Sequence, residues 1–426
     1  MENGHHHQSP NVSLIVIGDE ILSGRTQDLN GSWLAKFLFH AGLNFKSLRF
    51  IKDNEGDMMK AIDDSFNESD IVITSGGIGP TIDDKTKSTL ARYFNKNIIE
   101  RNDLIPIIED NYQRFGRPWT PSTNQYHFFP EDFRAIKNPK GLAPGLAYLT
   151  SNNKLILSAP GVPREFSEMV KAEFLPLIKE TFRERMKENY QTVIRTQGVP
   201  EEKIFFEMCP TLWSDLEKFG SVSSLPHTIG IDIVISYKGT EKDFLEKSQK
   251  IKDIVSQTPL STFVWQWGNR GLSELVLNLA ETKNLTFGFA ESCTGGLLSS
   301  KITDLPGASR VFYGGVISYD NSIKKDVLNV SESSLKNFGA VSLEVAREMA
   351  EGLRIKLKVD IAISITGIAG PDGGSEIKPV GTVAIGVATN KINASYIFQF
   401  PGDRVKLKDR FSEKALLLLF ETLKDF

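Results

Sequence analysis

The chain is poor in the residues that disulfide, zinc or imidazole chemistry requires. It has two cysteines in 426 residues, and Cys209 and Cys293 stand too far apart in sequence for a disulfide framework or a zinc-binding spacing. Histidine occurs six times, at His5, His6, His7, His40, His127 and His227, and never after residue 263. Chemistry in the last third of the chain must therefore run without an imidazole base. No apolar run approaches the roughly eighteen residues a membrane span needs; the densest patch, "LLLLF" at 416–420, is flanked by charges. A net charge of −3 argues against a broad nucleic-acid-binding surface. The opening "MENGHHHQSP" has no apolar signal core and is expected to be disordered or tag-derived, so its histidines carry no metal-binding weight. These absences read as a cytoplasmic protein with no membrane and no nucleic-acid partner.

With 40% hydrophobic and 24% charged residues the composition is that of a globular protein, and its length implies more than one domain. β-Branched runs alternate with helical patterns from the start: strands at 12–18, 45–51 and 70–80, helices at 29–42, 58–66 and 83–94. Such alternation predicts a doubly wound α/β domain with a parallel sheet, whose ligands bind beyond the strands' carboxyl ends. "TSGGIGPTIDD" falls there. After a charged stretch at 179–189 the pattern changes to a small α+β unit reaching about residue 262, and "WQWGNRG" (265–271) reads as a connection. Leu272, Leu275, Val276 and Leu279 then mark one helical face, and strands and helices alternate again to a long C-terminal helix. Ser342 is expected to cap the helix at 342–357.

Within this last segment, "LTFGFAESCTGGLLSSKI" (285–302) runs from strand through a glycine turn into a helix. Unpaired N–H groups at such a helix start suit an oxyanion or a phosphate. An ordinary N-cap by Ser292 or Thr294 explains the pattern equally well. Two further strand-end loops shift that balance: the long polar loop at 364–382, and "FPGDR" (400–404), which presents Arg404 to a phosphate or carboxylate. Together they suggest a nucleotide-like substrate. Without histidine, a Ser292 nucleophile needs lysine or tyrosine as base, and "VISYDNSIKKDVL" supplies Tyr319, Lys324 and Lys325. Cys293 is a rival nucleophile, because a helix N-terminus lowers a thiol pKa, but burial behind the turn suits it better.

The order and spacing of "AESCTGGLLSSKIT", "GGVISYDNSIKKDVL", "TGIAGPDGGSEIKPVGTV" and "FPGDR" resemble the C-terminal domain of the competence/damage-inducible family, CinA. That domain is similar to the bacterial enzyme that deamidates nicotinamide mononucleotide. The resemblance implies hydrolysis to nicotinate mononucleotide and ammonia, with Ser292 as nucleophile and Lys324 as base. It further implies that Thr294, Gly295, Gly296, Tyr319, Asn321, Thr366, Gly367 and Arg404 bind substrate, with no cofactor.

In the first domain, "TSGGIGPTIDDKT" (74–86) resembles the signature of molybdopterin-binding domains in the variant with two aspartates found in CinA proteins. It implies a pyrophosphatase acting on ADP-ribose, with Ser75, Gly76, Gly77, Gly79, Asp83 and Asp84 binding substrate. Asp83 and Asp84 would hold a divalent cation such as Mg. The alternative is a non-catalytic module for a molybdopterin-like ligand. Leu142 stands where a small hydroxyl residue is expected, and Ala159 where leucine is. The resulting expectation is α/β: two doubly wound α/β domains, at 11–178 and 268–426, joined by a small KH-like α+β domain at 179–262, in a homodimer.

Overall fold

The computed structural model describes residues 9–81 and 83–426, so His5, His6 and His7 lie outside the described residues. The architecture is mixed α/β, and the chain divides into two compact units. One runs to Tyr190 and includes Ser236–Glu246; the other comprises Gln191–Ile235 and Lys247–Phe426.

The first unit is built on a six-stranded sheet of β1 (Asn11–Ile17), β2 (Asn44–Ile51), β3 (Ile71–Ser75), β4 (Arg134–Ile136), β5 (Gly145–Leu149) and β6 (Leu155–Ala159). Their order is β2-β1-β3-β6-β5-β4. The first four pair in parallel. β5 pairs antiparallel with both β6 and β4, so it alone opposes the other strands; the tight connection 150–154 between β5 and β6 cannot make a crossover. The fully parallel sheet expected from the alternation is therefore a mixed one. Ile15 and Ile17 of β1 enter one core, while Leu14 and Val16 enter the core on the other face, the period-two signature of a strand buried on both sides. Helices α1 (Asn30–His40), α2 (Glu55–Glu68) and α3 (Thr86–Tyr93) follow strands β1, β2 and β3 in turn.

A four-stranded sheet joins Ser221–Pro226, Ile231–Gly239, Glu188–Thr196 and Val264–Trp267 in that order. The "WQWGNRG" stretch, expected as a connection, thus begins as a strand pairing antiparallel with Glu188–Thr196. Side chains tie this segment to the C-terminal core. Gln197 bonds to Glu421 and Lys414, Thr228 to Asp409, and Trp265 meets Phe420 edge-on.

The C-terminal sheet comprises β7 (Phe287–Glu291), β8 (Phe312–Ile317), β9 (Ile361–Gly367), β10 (Thr382–Ala388) and β11 (Asn393–Gln399), ordered β8-β7-β9-β10-β11. Phe287, Phe289, Ile361, Ile363 and Ile365 fill the core beneath α4 (Leu272–Lys283), α5 (Leu297–Thr303) and α8 (Arg404–Lys424). The other face carries small residues. A Cβ on Gly288 would lie 2.9 Å from Leu357, and one on Gly386 2.2 Å from the Ala346 carbonyl, so α7 (Leu343–Leu357) lies close against the sheet. Between β8 and α7 comes α6 (Asn321–Leu328). Among the described residues no helix is long and apolar enough to cross a membrane.

Candidate active sites

In the C-terminal domain β7 ends at Glu291, and the chain turns under the end of β9. Ser292 N–H donates to Ile365 O (2.9 Å), and Gly295 N–H closes the turn on Ser292 O (3.1 Å). Gly295 and Gly296 have φ of +61° and +95°, a left-handed path that glycine takes without strain. The helix start is not left open, contrary to the sequence expectation. The Glu291 carboxylate, 1% exposed, accepts from the N–H groups of Gly296, Leu298 and Ser299 (2.9, 3.1 and 2.8 Å) and from Ser299 Oγ (2.7 Å). Glu291, rather than Ser292 or Thr294, is the cap, and the Gly296 N–H is spoken for. Among the described residues no backbone carbonyl accepts from the N–H groups of Cys293 and Thr294, the Cys293 N–H lies within reach of its own thiol, and the buried Thr294 hydroxyl has no partner.

Lys324 reaches this turn from α6. Its Nζ lies 3.1 Å from Ser292 Oγ, 2.7 Å from Ser318 O and 3.2 Å from Tyr319 O. Asp320 caps α6 by accepting from Ser322 N–H (2.8 Å), which places Lys324 on the same inward face as buried Leu328. Burial lowers the Lys324 pKa against the opposing charge of Asp320. Lys325 points outward, half exposed and 3.9 Å from Glu332. Cys293 packs into the apolar core, and burial pushes its thiol pKa up to about 12. The helix-start effect that favoured it as a nucleophile is outweighed.

The other expected residues divide. Arg404 donates to Gly370 O (2.7 Å) and to the Tyr319 hydroxyl (3.1 Å) at the rim of the turn, and exposed Asn321 opens α6. Thr366 is buried and spends its hydroxyl on Ala340 O (2.8 Å). Gly367 is hemmed in: an added Cβ would lie 2.9 Å from Thr382 O and 3.2 Å from Cys293 Sγ. Both shape the frame behind the turn.

The second site lies beyond the carboxyl ends of β3 and β6. Gly76 N–H donates to Ala159 O (2.9 Å) and Thr86 N–H to Gly77 O (2.9 Å); the Thr86 hydroxyl holds Gly76 O (2.9 Å). An added Cβ would lie 2.5 Å from Ile17 O at Gly76 and 2.3 Å from Thr86 Oγ1 at Gly77, so neither tolerates a side chain. The loop borders a cavity of about 460 Å³ lined by Gly77, Gly79, Asp84, Arg117, Lys140 and Glu165, with Leu142 on its wall. Ser75, expected at the substrate, is buried and accepts from Asn30 Nδ2 (2.8 Å), which also reaches Gly161 O (2.9 Å). It ties strand ends together.

Both aspartates meet Thr81. Asp84 lines the cavity and accepts from the Thr81 backbone N–H (2.9 Å) and hydroxyl, and a hydrogen bond from the Thr81 side chain holds the Asp83 carboxyl below its usual pKa. The charge of Asp83 is also felt at Asp53, whose carboxyl pKa is raised by burial and by Glu20, Asp19 and Asp83, against the Asp19 N–H bond. Among the described residues no three acidic, His or Cys side chains converge to hold a metal ion. A cation at Asp84 would therefore have to bring phosphate and water ligands of its own. Arg117, Lys140 and Glu165 escaped the sequence reading. Burial raises the Glu165 pKa, opposed by the Asn138 Nδ2 bond, and nothing in the local sequence signals that burial.

The family described as the CinA C-terminal domain matches residues 269–423, and that described as "Probable molybdopterin binding domain" matches 13–180. A competence-damage inducible protein of Caldicellulosiruptor saccharolyticus is 34% identical over 97% of this chain and 99% of its own. One from Clostridium perfringens is 35% identical over 94% and 95%. The chain belongs to the CinA family. A solved competence/damage inducible protein from Agrobacterium tumefaciens covers 36% of this CinA chain and 97% of its own, at 33% identity and a TM-score of 0.34. The two matched segments of this CinA protein each carry one of the two sites.

Proposed function

We propose that the C-terminal domain is an amidohydrolase that converts nicotinamide mononucleotide and water to nicotinate mononucleotide and ammonia. The observation that carries this reading is the buried amine of Lys324, 3.1 Å from Ser292 Oγ, with no carboxylate among the described residues hydrogen-bonded to it. A neutral amine has two N–H donors and one lone pair. The carbonyls of Ser318 and Tyr319 can only accept, so they take both donors and leave the lone pair to the Ser292 hydroxyl. Burial, which favours the uncharged amine, supports that state.

Ser292 Oγ attacks the carboxamide carbon as its proton passes to Lys324 Nζ. The resulting oxyanion meets the N–H groups of Cys293 and Thr294, which no backbone carbonyl holds. Collapse breaks the C–N bond, Lys324 returns the proton to the departing nitrogen, and ammonia leaves a nicotinoyl ester on Ser292. Water, deprotonated by Lys324, then cleaves the ester and restores the serine hydroxyl. Purified protein incubated with nicotinamide mononucleotide should release ammonia, and Ser292→Ala should not. A wild-type protein that releases none removes the reading.

For the first domain we propose a pyrophosphatase that splits ADP-ribose into AMP and ribose 5-phosphate. The glycine loop, Arg117 and Lys140 would hold the diphosphate, and Asp84, with Asp83 nearby, would hold a divalent cation. The cation would supply charge neutralisation on the phosphate oxygens. Metal-dependent AMP release tests this reading; binding without AMP release would favour the molybdopterin-like module.

A further inference from the structure

Resting on the pyrophosphatase reading of the first domain, we propose that the Tyr126 hydroxyl contacts the substrate, donating to an oxygen of its diphosphate, and that Lys87 is the positioning residue that holds it there. Tyr126 lines the same cavity as Gly77, Gly79 and Asp84. The residue is 4% exposed, and its ring packs in the core beside Tyr112, with centroids 6.4 Å apart. Phenylalanine would serve that packing as well, so the hydroxyl needs a reason of its own. The Tyr112 hydroxyl accepts from Asn124 Nδ2 (2.6 Å). Tyr126 gives Asn124 Oδ1 only its backbone N–H (3.2 Å), and among the described residues no group hydrogen-bonds its hydroxyl. A phenol ordinarily keeps its proton to about pH 10, and burial, Tyr112, Asp84 and Glu165 all raise the Tyr126 pKa further. At neutral pH the group is a donor without a protein partner, in a cavity whose glycine turn and cations suit a diphosphate. An anionic oxygen there would satisfy it.

The backbone carries Tyr126 in a turn, which Phe128 N–H closes on Gln125 O (3.1 Å). The Lys87 amine grips both ends of that turn, donating to Gln125 O (3.2 Å) and Phe128 O (2.9 Å). It also lies 5.8 Å from the Phe129 ring centroid. Lys87 follows Thr86 at the start of α3, and Thr86 holds Gly77 O through its N–H and Gly76 O through its hydroxyl. Two adjacent residues of one helix thus fix the glycine turn and the Tyr126 turn, which face each other across the cavity's contents.

The test measures Mg-dependent AMP release from ADP-ribose by wild type, Tyr126→Phe, Lys87→Met, Lys87→Arg and the double variant of Tyr126→Phe with Lys87→Met. Tyr126→Phe should lower kcat/KM on the order of 10- to 100-fold, the worth of one hydrogen bond to a charged group. Lys87→Met should lower it too, and Lys87→Arg should restore most of it. The double variant should be no worse than Tyr126→Phe, because a positioning residue acts only through the group it positions. Additive losses in the double variant overturn the role of Lys87, and full activity of Tyr126→Phe overturns the contact. Calorimetric titration with ADP reads the contact without the reaction. Weaker binding by Tyr126→Phe than by wild type supports it; equal binding, or none by wild type, overturns it. If wild type binds ADP but releases no AMP from ADP-ribose, the pyrophosphatase reading falls and the titration alone decides the contact.

Discussion

At the scale of single residues, burial decides what each candidate in the Ser292 turn can do. Cys293 and Ser292 are adjacent, yet the thiol packs in the core with its pKa pushed up to about 12, while the serine hydroxyl meets an amine. Ser292→Ala should abolish ammonia release and Cys293→Ala should retain most of it; the reverse pattern in a coupled ammonia assay would exchange their roles. Lys324→Arg keeps the charge but cannot accept a proton near neutral pH, and turnover should fall by two to four orders of magnitude, roughly the worth of a general base. The Lys324 pKa is lowered by burial, and the active form is the neutral amine. Activity should therefore rise with pH along a limb whose midpoint lies below the ~10.4 of a free lysine. A limb at or above that value would contradict the assignment.

At the scale of elements, one carboxylate organises the turn. Glu291 satisfies three orphan N–H groups at the start of α5, donors that have no intrahelical partner. Glu291→Ala should cost roughly 2–4 kcal/mol, since it strands the buried Leu298 N–H, worth about 1–3 when unsatisfied, and two half-buried N–H groups that water can partly satisfy; an unchanged denaturant midpoint would show that the helix start does not depend on it. Ser342 provides a milder comparison. Its hydroxyl accepts from Val345 N–H (3.3 Å) at the start of α7, and Ser342→Ala should cost about 1 kcal/mol. The Ser342 cap was legible because a Ser before an apolar-periodic run is a local signal. The Glu291 cap was not, because the residue belongs to the preceding strand and reaches forward across the turn.

At the scale of the whole molecule, the two sites lie in different compact units. Asp84→Asn should remove metal-dependent AMP release while leaving ammonia release intact, and a chelator should do the same to wild type. Loss of both activities in either experiment would mean a shared site or a collapsed fold. The middle of the chain was the least legible region. The glycines of 265–271 read as a connection, but Val264–Trp267 is β-branched and aromatic, as a strand is, and it pairs with the edge of Glu188–Thr196.

The sequence by itself determined the α/β class, through apolar periods of two and 3.6, and the places of both glycine turns, because only glycine follows a left-handed path or a close backbone approach without strain. It also excluded a histidine base from the last third of the chain. Choosing Lys324 over Lys325 on geometric grounds required the tertiary structure, since adjacent helix residues point about 100° apart and only packing shows which direction is inward. The same holds for Thr366 and Ser75, which match expected positions yet spend their hydroxyls on the frame. Hydrogen-bond partners distant in sequence are fixed by chain folding, and no local pattern encodes them.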